Sequence, residues 1–217
     1  MTEKNDSQSK TMRIRVKFAK TEPMRFTSHL DLYRAWERLL RRAGMQLAFS
    51  QGYNPRPKLQ LAAPLPLGIT SRAEIVDFWL SEGLDDLNQL KLLLLAAQPP
   101  GIEILTVESV EPSAPPLQKK VSAAEYHVIL LDQIPQPDQK IDSLLGSETL
   151  IRQRRGKSYD LRPLILALSF ESKDSEFIQM RLNAQEGSTG RPEEVLLALD
   201  IHPENTRIER TQLLIQD

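Results

Sequence analysis

The chain has 217 residues and a formal net charge of −1, with 40% hydrophobic and 26% charged residues. That mix belongs to a folded, water-soluble protein rather than a fibrous or wholly disordered one. Cysteine is absent, which excludes disulfides, thiolate nucleophiles, zinc fingers and cysteine-held iron–sulfur clusters.

The longest apolar run, Leu92 to Ala97, is six residues, far short of the roughly 18 of a membrane span. The N-terminal string MTEKNDSQSK is polar and lacks the apolar core of a signal peptide, so no membrane contact and a cytoplasmic location are expected. His29, His127 and His202 are too scattered to predict a metal site, and no cofactor is expected. The net charge conceals a segregation. Lys10 to Arg72 holds 13 Lys/Arg against 3 Asp/Glu, whereas Ala73 to Ile151 holds 4 against 13. Either the first segment presents a positive field to a partner, or the two segments pair with each other in the fold.

Residues 1–11 read as a disordered tail. From Met12 to Ala19, apolar Met12, Ile14, Val16 and Phe18 alternate with Arg13, Arg15 and Lys17, which predicts a half-buried strand with a basic outer face. His29 to Ala43 predicts a helix. Ser28 and Asp31 fit a capping box, Leu32, Trp36, Leu39 and Ala43 form its apolar stripe, and Gly44 ends it. Strands follow at Leu59–Leu67 and Glu74–Leu80 with a turn at Gly68–Arg72. A helix at Leu84–Ala97 is stopped by Pro99-Pro100-Gly101, and Glu103–Val110 is again a strand. Residues 111–122 (EPSAPPLQKKVS) read as a Pro-rich linker.

The second half looks like a looser copy. It has strands at Ala124–Leu131, Thr149–Gln153, Leu161–Phe170, Glu176–Asn183 and Arg207–Ile215, with helices at Gln139–Leu145 and Pro192–Leu199. The expected architecture is therefore α+β. Two ferredoxin-like α/β sandwich units stand in tandem at 12–110 and 123–217, each an antiparallel sheet with helices on one face.

The densest group of ligand-contacting side chains is Ser50-Gln51-Gly52-Tyr53-Asn54-Pro55-Arg56-Pro57-Lys58. Its prolines stiffen the loop. Arg56 offers a planar fork for phosphate or a base edge, Lys58 a point charge and Tyr53 a stacking face. An ordinary polar turn is the plainer reading. Arg34, Arg38, Arg41 and Arg42 share one side of the first predicted helix and, with Arg13, Arg15 and Lys17, could form a phosphate surface; a solvated helix face, with Glu37 pairing to Arg41, is the alternative. His29 beside Asp31 could be an acid–base pair, but Asp31 is better explained as a capping residue, and no catalytic residue is assigned. In the second half, Arg152–Lys157 with Arg162 after it, and Gly187–Pro192 with Arg191, are weaker candidates for RNA or phosphate contact.

Several strings together resemble one bacterial family: FTSHLDLYRAWERLLRRAG (Phe26–Gly44), FSQGYNPRPKLQLAAPLPLG (Phe49–Gly68), YDLRPLI (Tyr159–Ile165) and GRPEEVL (Gly190–Leu196). It is the "radical SAM-linked" family, a domain of unknown function found alone or fused behind a radical S-adenosylmethionine (radical SAM) protein. The resemblance covers about residues 12–215. It implies association with a radical SAM enzyme in trans, and not that enzyme itself, because the cluster-binding CxxxCxxC motif is missing.

The expected function is that of a non-catalytic accessory or substrate-binding module working with such an enzyme. It would bind RNA, transfer or ribosomal, through Arg34, Arg38, Arg41, Ser50, Gln51, Gly52, Tyr53, Asn54, Arg56 and Lys58, with Arg162 and Arg191 as outlying contacts. The alternatives are a protein-docking partner without RNA contact, or a small enzyme acting on a phosphorylated ligand.

Overall fold

In a computed structural model that describes residues 11–154, 156–172 and 176–216, one order of elements occurs twice. The first half runs β1 (Met12–Lys20), α1 (His29–Arg42), β2 (Leu59–Leu61), β3 (Thr70–Leu80), α2 (Leu87–Ala97) and β4 (Ile102–Val110). After a single turn, α3 (Leu117–Lys120), the second half runs β5 (Val121–Leu130), α4 (Pro137–Gly146) and a hairpin of β6 (Ile151–Arg154) and β7 (Lys157–Asp160). It continues with β8 (Ile165–Glu171), β9 (Phe177–Gln185), β10 (Ser188–Thr189), α5 (Pro192–Ala198) and β11 (Thr206–Ile215). Of the predicted tail, residues 1–10 lie outside the described residues, as does Arg155 of the basic run.

The strand order is β4-β1-β3-β2 in the first half and β11-β5-β9-β8 in the second, with every neighbour antiparallel. This is the order of a ferredoxin-like sandwich, and the tandem α+β architecture read from the sequence is the observed one. The β6–β7 hairpin and β10 are additions to the second half. The halves share one sheet, because β11 pairs in parallel with β3 at Glu209↔Thr70 and Arg210↔Ser71.

Local chemistry explains the boundaries. The Ser28 hydroxyl accepts the Asp31 N–H at 3.2 Å and so caps α1, whose Leu32, Trp36, Leu39 and Leu40 are buried. The helix predicted from Leu84 begins at Leu87, because the Asp86 carboxylate accepts the Asn88 N–H and acts as the N-cap. The strand predicted to Leu67 stops at Leu61, since Pro64 and Pro66 have no N–H to give a ladder. For the same reason the strand predicted from Leu161 begins only at Ile165, after a 3₁₀ turn at Arg162–Leu164 that contains Pro163.

The basic outer face predicted for β1 is not an open surface. Ile14, Val16 and Phe18 point into the core under α1 and α2. On the opposite face, Arg13 and Arg15 both turn onto Asp77 of β3, which lies directly across from Arg15 and is fully buried. Arg13 bonds the Asp77 carboxylate at 2.6 and 2.9 Å, and Arg15 at 2.8 and 2.9 Å. Arg13 also donates to the carbonyls of Ala114 (2.6 Å) and Pro115 (3.1 Å), and its guanidinium lies 4.9 Å over the Trp79 ring. The Pro-rich connection is thereby pinned to the first half. Leu117 is buried, and Gln118 donates to the Leu61 carbonyl at 3.0 Å. Of the three cations, only Lys17 is exposed.

A second buried ion pair crosses between the halves. Arg210 of β11, 1% exposed, donates through Nε at 2.9 Å to Glu74 of β3 and makes a second bond to it through Nη2. It also donates to the carbonyls of Pro64 (3.2 Å) and Ala63 (3.3 Å), and its guanidinium hydrogen-bonds the Tyr126 side chain. Ala62, Ala63, Leu65, Ile69 and Ile75 of the first half belong to the same core cluster as Val128, Met180 and Leu196 of the second.

Replacing Glu74 alone with alanine is expected to destabilise the chain by about 3–5 kcal/mol, because it leaves a guanidinium buried without its counter-charge. The double change Glu74→Leu with Arg210→Met should recover most of that loss in urea unfolding; an undiminished loss would show that the pair's value is not mutual neutralisation. Gly101 has φ +93°, and a Cβ there would lie 2.8 Å from the Met24 backbone nitrogen. Gly101→Ala should therefore cost about 2 kcal/mol or more. Gly83→Ala, where a Cβ meets nothing within 4 Å, should stay within about 0.5 kcal/mol.

Candidate nucleic-acid interface

The loop after α1 is closed at its neck. The Ser50 N–H donates to the Arg56 carbonyl at 2.8 Å, and the Ser50 hydroxyl accepts the Arg56 N–H at 3.0 Å. Below the neck, Lys58 N–H donates to Ala48 and Ala48 N–H to Trp79, each at 2.8 Å, which roots the loop on the edge of β3. Beyond the neck, Gln51, Gly52, Tyr53, Asn54 and Pro55 are all exposed. Gly52 has φ +135°, a conformation that favours glycine. Tyr53 is 99% exposed, so its ring contributes nothing to the core. The Tyr33 hydroxyl of α1 donates to the Pro57 carbonyl at 3.1 Å and docks the loop against the helix. Burial pushes the Tyr33 phenol up, Glu37 adding to this and Arg56 opposing it.

Between the loop and α1 runs a groove made of two adjoining hollows of about 520 and 700 Å³, which share Arg34 and Glu37. Arg56 with His29 and Tyr33 lines the first; Arg38, Arg41 and Phe49 line the second. Arg34 pairs with Asp31 at 3.2 Å on the open surface, a contact that contributes little. The Asp31 carboxyl is held low, first by the Ser28 hydroxyl and then by Arg34, which fits its capping role. The side chains of Arg38, Arg41, Arg56 and Lys58 make no hydrogen bond or ion pair among the described residues. Arg42 leaves the group: it turns towards α2 and donates to the Ala97 carbonyl at 2.5 Å. Arg162 is also elsewhere, its guanidinium half-buried and bonded to the carbonyls of Leu145 (2.8 and 3.1 Å) and Ile165 (3.4 Å).

Arg191 lies in a second hollow, a cleft of about 480 Å³ between the two halves on the helix side of the sheet. Ser28 and His29 at the start of α1 form one side, and Pro64, Leu65, Pro66 and Leu67 supply an apolar wall. Across it stand Gly190, Arg191 and Glu193 at the start of α5 and Arg154 from the β6–β7 hairpin, with Tyr126 of β5 buried among them. Loss of water holds the His29 imidazole below its ordinary value, Glu74 pulling it up and Arg210 pushing it down. Burial pushes the Glu193 carboxyl up, against the pull of Arg191. Sequence reading placed Arg154 in a weakly indicated basic run and did not assign Tyr126 or Glu193 to a site. The segments AAPLPLG, FTSHLDL and GRPEEVL each supply part of this one cleft.

No curated protein matches the sequence. Among solved structures, a chain of a Cbf5-Nop10-Gar1 complex is 10% identical with a TM-score of 0.47, covering 94% of this chain and 50% of that one. A chain of the archaeal box H/ACA sRNP Nop10-Cbf5 complex is 12% identical with a TM-score of 0.37, covering 94% and 57%. This chain thus spans 50% of the length of the first and 57% of the second. The acetolactate synthase small subunit from Thermotoga maritima is 12% identical with a TM-score of 0.27, covering 94% of both chains. At these TM-scores the likenesses say nothing of function. No helix among the described residues is long and apolar enough to cross a membrane. The model of a family described as an uncharacterized protein conserved in bacteria (DUF2344) matches residues 13–192, and the chain belongs to that family.

Proposed function

We propose that this protein is a non-catalytic accessory module that binds RNA along the α1 groove and works with a radical SAM enzyme in trans. The observation that carries the RNA reading is the groove itself. Arg38, Arg41 and Arg56 converge on it with no hydrogen-bond or ion-pair partner among the described residues, beside a stiffened loop that holds up a fully exposed tyrosine. Guanidiniums give planar, bidentate contact to phosphate. An exposed aromatic ring gives a stacking face for an unpaired base, the usual mode of recognising single-stranded RNA. Groove and loop together therefore suit an unpaired strand better than a duplex. The radical SAM partner rests on the family resemblance of the sequence, and the missing cysteine ligands require that any cluster be brought by that partner.

Binding of a short single-stranded RNA to the full chain should weaken steeply with salt. If Arg34, Arg38, Arg41 and Arg56 each meet a phosphate, the slope of log affinity against log salt should be about −3, from roughly −0.7 per contact on a single strand. Arg38→Gln should reduce that slope by about 0.7. A slope near zero, or no binding, would overturn the reading and leave the basic face as a docking surface for an acidic protein.

Tyr53→Ala should cost about 1–3 kcal/mol of RNA affinity through lost stacking. Its thermal midpoint should not move, because the ring has no folded contacts to lose. A variant that binds RNA as the parent does would exclude Tyr53 from the interface. Recovery of a radical SAM enzyme with the tagged protein, with and without RNase, tests the partner directly.

A further inference from the structure

The inter-half cleft is separate from the groove in its walls but continuous with it at one residue, since His29 lines both. Its volume, about 480 Å³, falls in the range of small-molecule sites. Its lining is divided: Pro64–Leu67 make an apolar wall, while the guanidinium-bearing Arg154 and Arg191 face it from the second half. Arg154 makes no hydrogen bond or ion pair among the described residues. Tyr126 and Glu193 are polar groups held in the same hollow.

A ligand that matches this division carries an anionic group at one end and a flat, mostly apolar body with polar edges at the other. We propose that the cleft binds one nucleoside monophosphate unit, its phosphate held by Arg154 and Arg191 and its base laid against the Pro64–Leu67 wall. The unit has two possible sources: a free mononucleotide, or a single unstacked nucleotide of the strand in the α1 groove. The second source rests on the RNA reading above. Unstacking a base from a single strand costs little, and the shared position of His29 gives the strand a direct route. Glu193 Oε2 is buried and has no hydrogen-bond partner among the described residues, which leaves it to accept from an N–H at a base edge.

The chain has three histidines, so their imidazole C–H resonances report the cleft with little overlap. On titrating the full chain with each of the four ribonucleoside monophosphates, the His29 signal should shift saturably, while His127 and His202 stay fixed. Uridine and inorganic phosphate, each carrying half the ligand, should bind at least tenfold more weakly. Arg154→Gln and Arg191→Gln should each weaken the nucleotide tenfold or more, with the other two histidine signals in place as evidence of folding.

A His29 signal unmoved at millimolar nucleotide, or a shift that survives both substitutions, overturns the site. If that happens while single-stranded RNA still binds, the groove reading stands and only the cleft falls. If the mononucleotide binds and RNA does not, the cleft stands and the groove reading falls. If a bound strand expels the mononucleotide, the strand supplies the unit; if both bind together, the ligand is the free nucleotide.

Discussion

The Glu74–Arg210 pair is the buried charge contact on which the junction of the two halves turns. The backbone pairing between β3 and β11 is only two residues long, too short to hold two sandwiches in fixed register by itself. Burying two charges is costly, and the cost is met only where geometry is good and every donor has a partner. Arg210 meets that condition: two bonds go to Glu74, one to the Tyr126 side chain, and two to the carbonyls of Ala63 and Pro64. Those last two bonds fix the path of the segment after β2. That segment drives Leu65 and Ile69 into the second core and presents Pro64–Leu67 as a wall of the cleft. The ion pair thus holds the halves together and also shapes the hollow between them.

A second buried carboxylate decides which positive charges are left for a partner. The first 72 residues look uniformly basic, yet Asp77 takes up both Arg13 and Arg15. Lys20 is buried, with Nζ donating to the carbonyls of Arg25 (3.1 Å) and Ile69 (3.3 Å), and burial lowers its pKa. Arg25 bonds the Gly68 carbonyl at 2.7 Å. Among the described residues, the cations of this segment left without a hydrogen-bond or ion-pair partner are, apart from Lys17, on α1 and its loop. The plainer reading of the charge segregation, internal pairing, is thus correct for the strand, and it does not extend to the helix face. The two readings divide the segment between them.

The fold was legible because its signals are local. The alternation in β1, the Ser28 cap and the Pro99–Gly101 stop each depend on a few adjacent residues, and their order alone gives the ferredoxin-like unit. Strand ends were misjudged wherever proline intervened, at Pro64, Pro66 and Pro163, because an apolar run continues through a residue that a ladder cannot use. The face of the β1 arginines was misread because a period of two shows which side chains share a face and not what covers it. The cleft was illegible for a different reason. Its parts come from residues 28–29, 64–67, 126, 154 and 190–193, and only the parallel step from β11 to β3 brings them together. One signal was available: Arg210 occupies an inward position two residues from buried Ile208, and Glu74 is likewise an acid at an inward position of a strand. Opposite charges at core positions of two predicted strands are a reason to pair those strands.

The groove and the cleft draw on the duplication differently. The groove is built from α1 and the loop rooted on β3, so it belongs to the first half alone. The cleft needs both halves, because its apolar wall comes from the first and its guanidiniums from the second. A single ferredoxin-like unit has one sheet face open and nothing to stand opposite its α1 start. Joining a second copy through β11 brings the start of α5, the second half's counterpart of α2, across from the start of α1, and the two face each other over Tyr126. The second copy therefore adds a walled cavity that neither half could enclose. His29, at the one corner common to cavity and groove, ties that cavity to the surface on which a partner strand would lie.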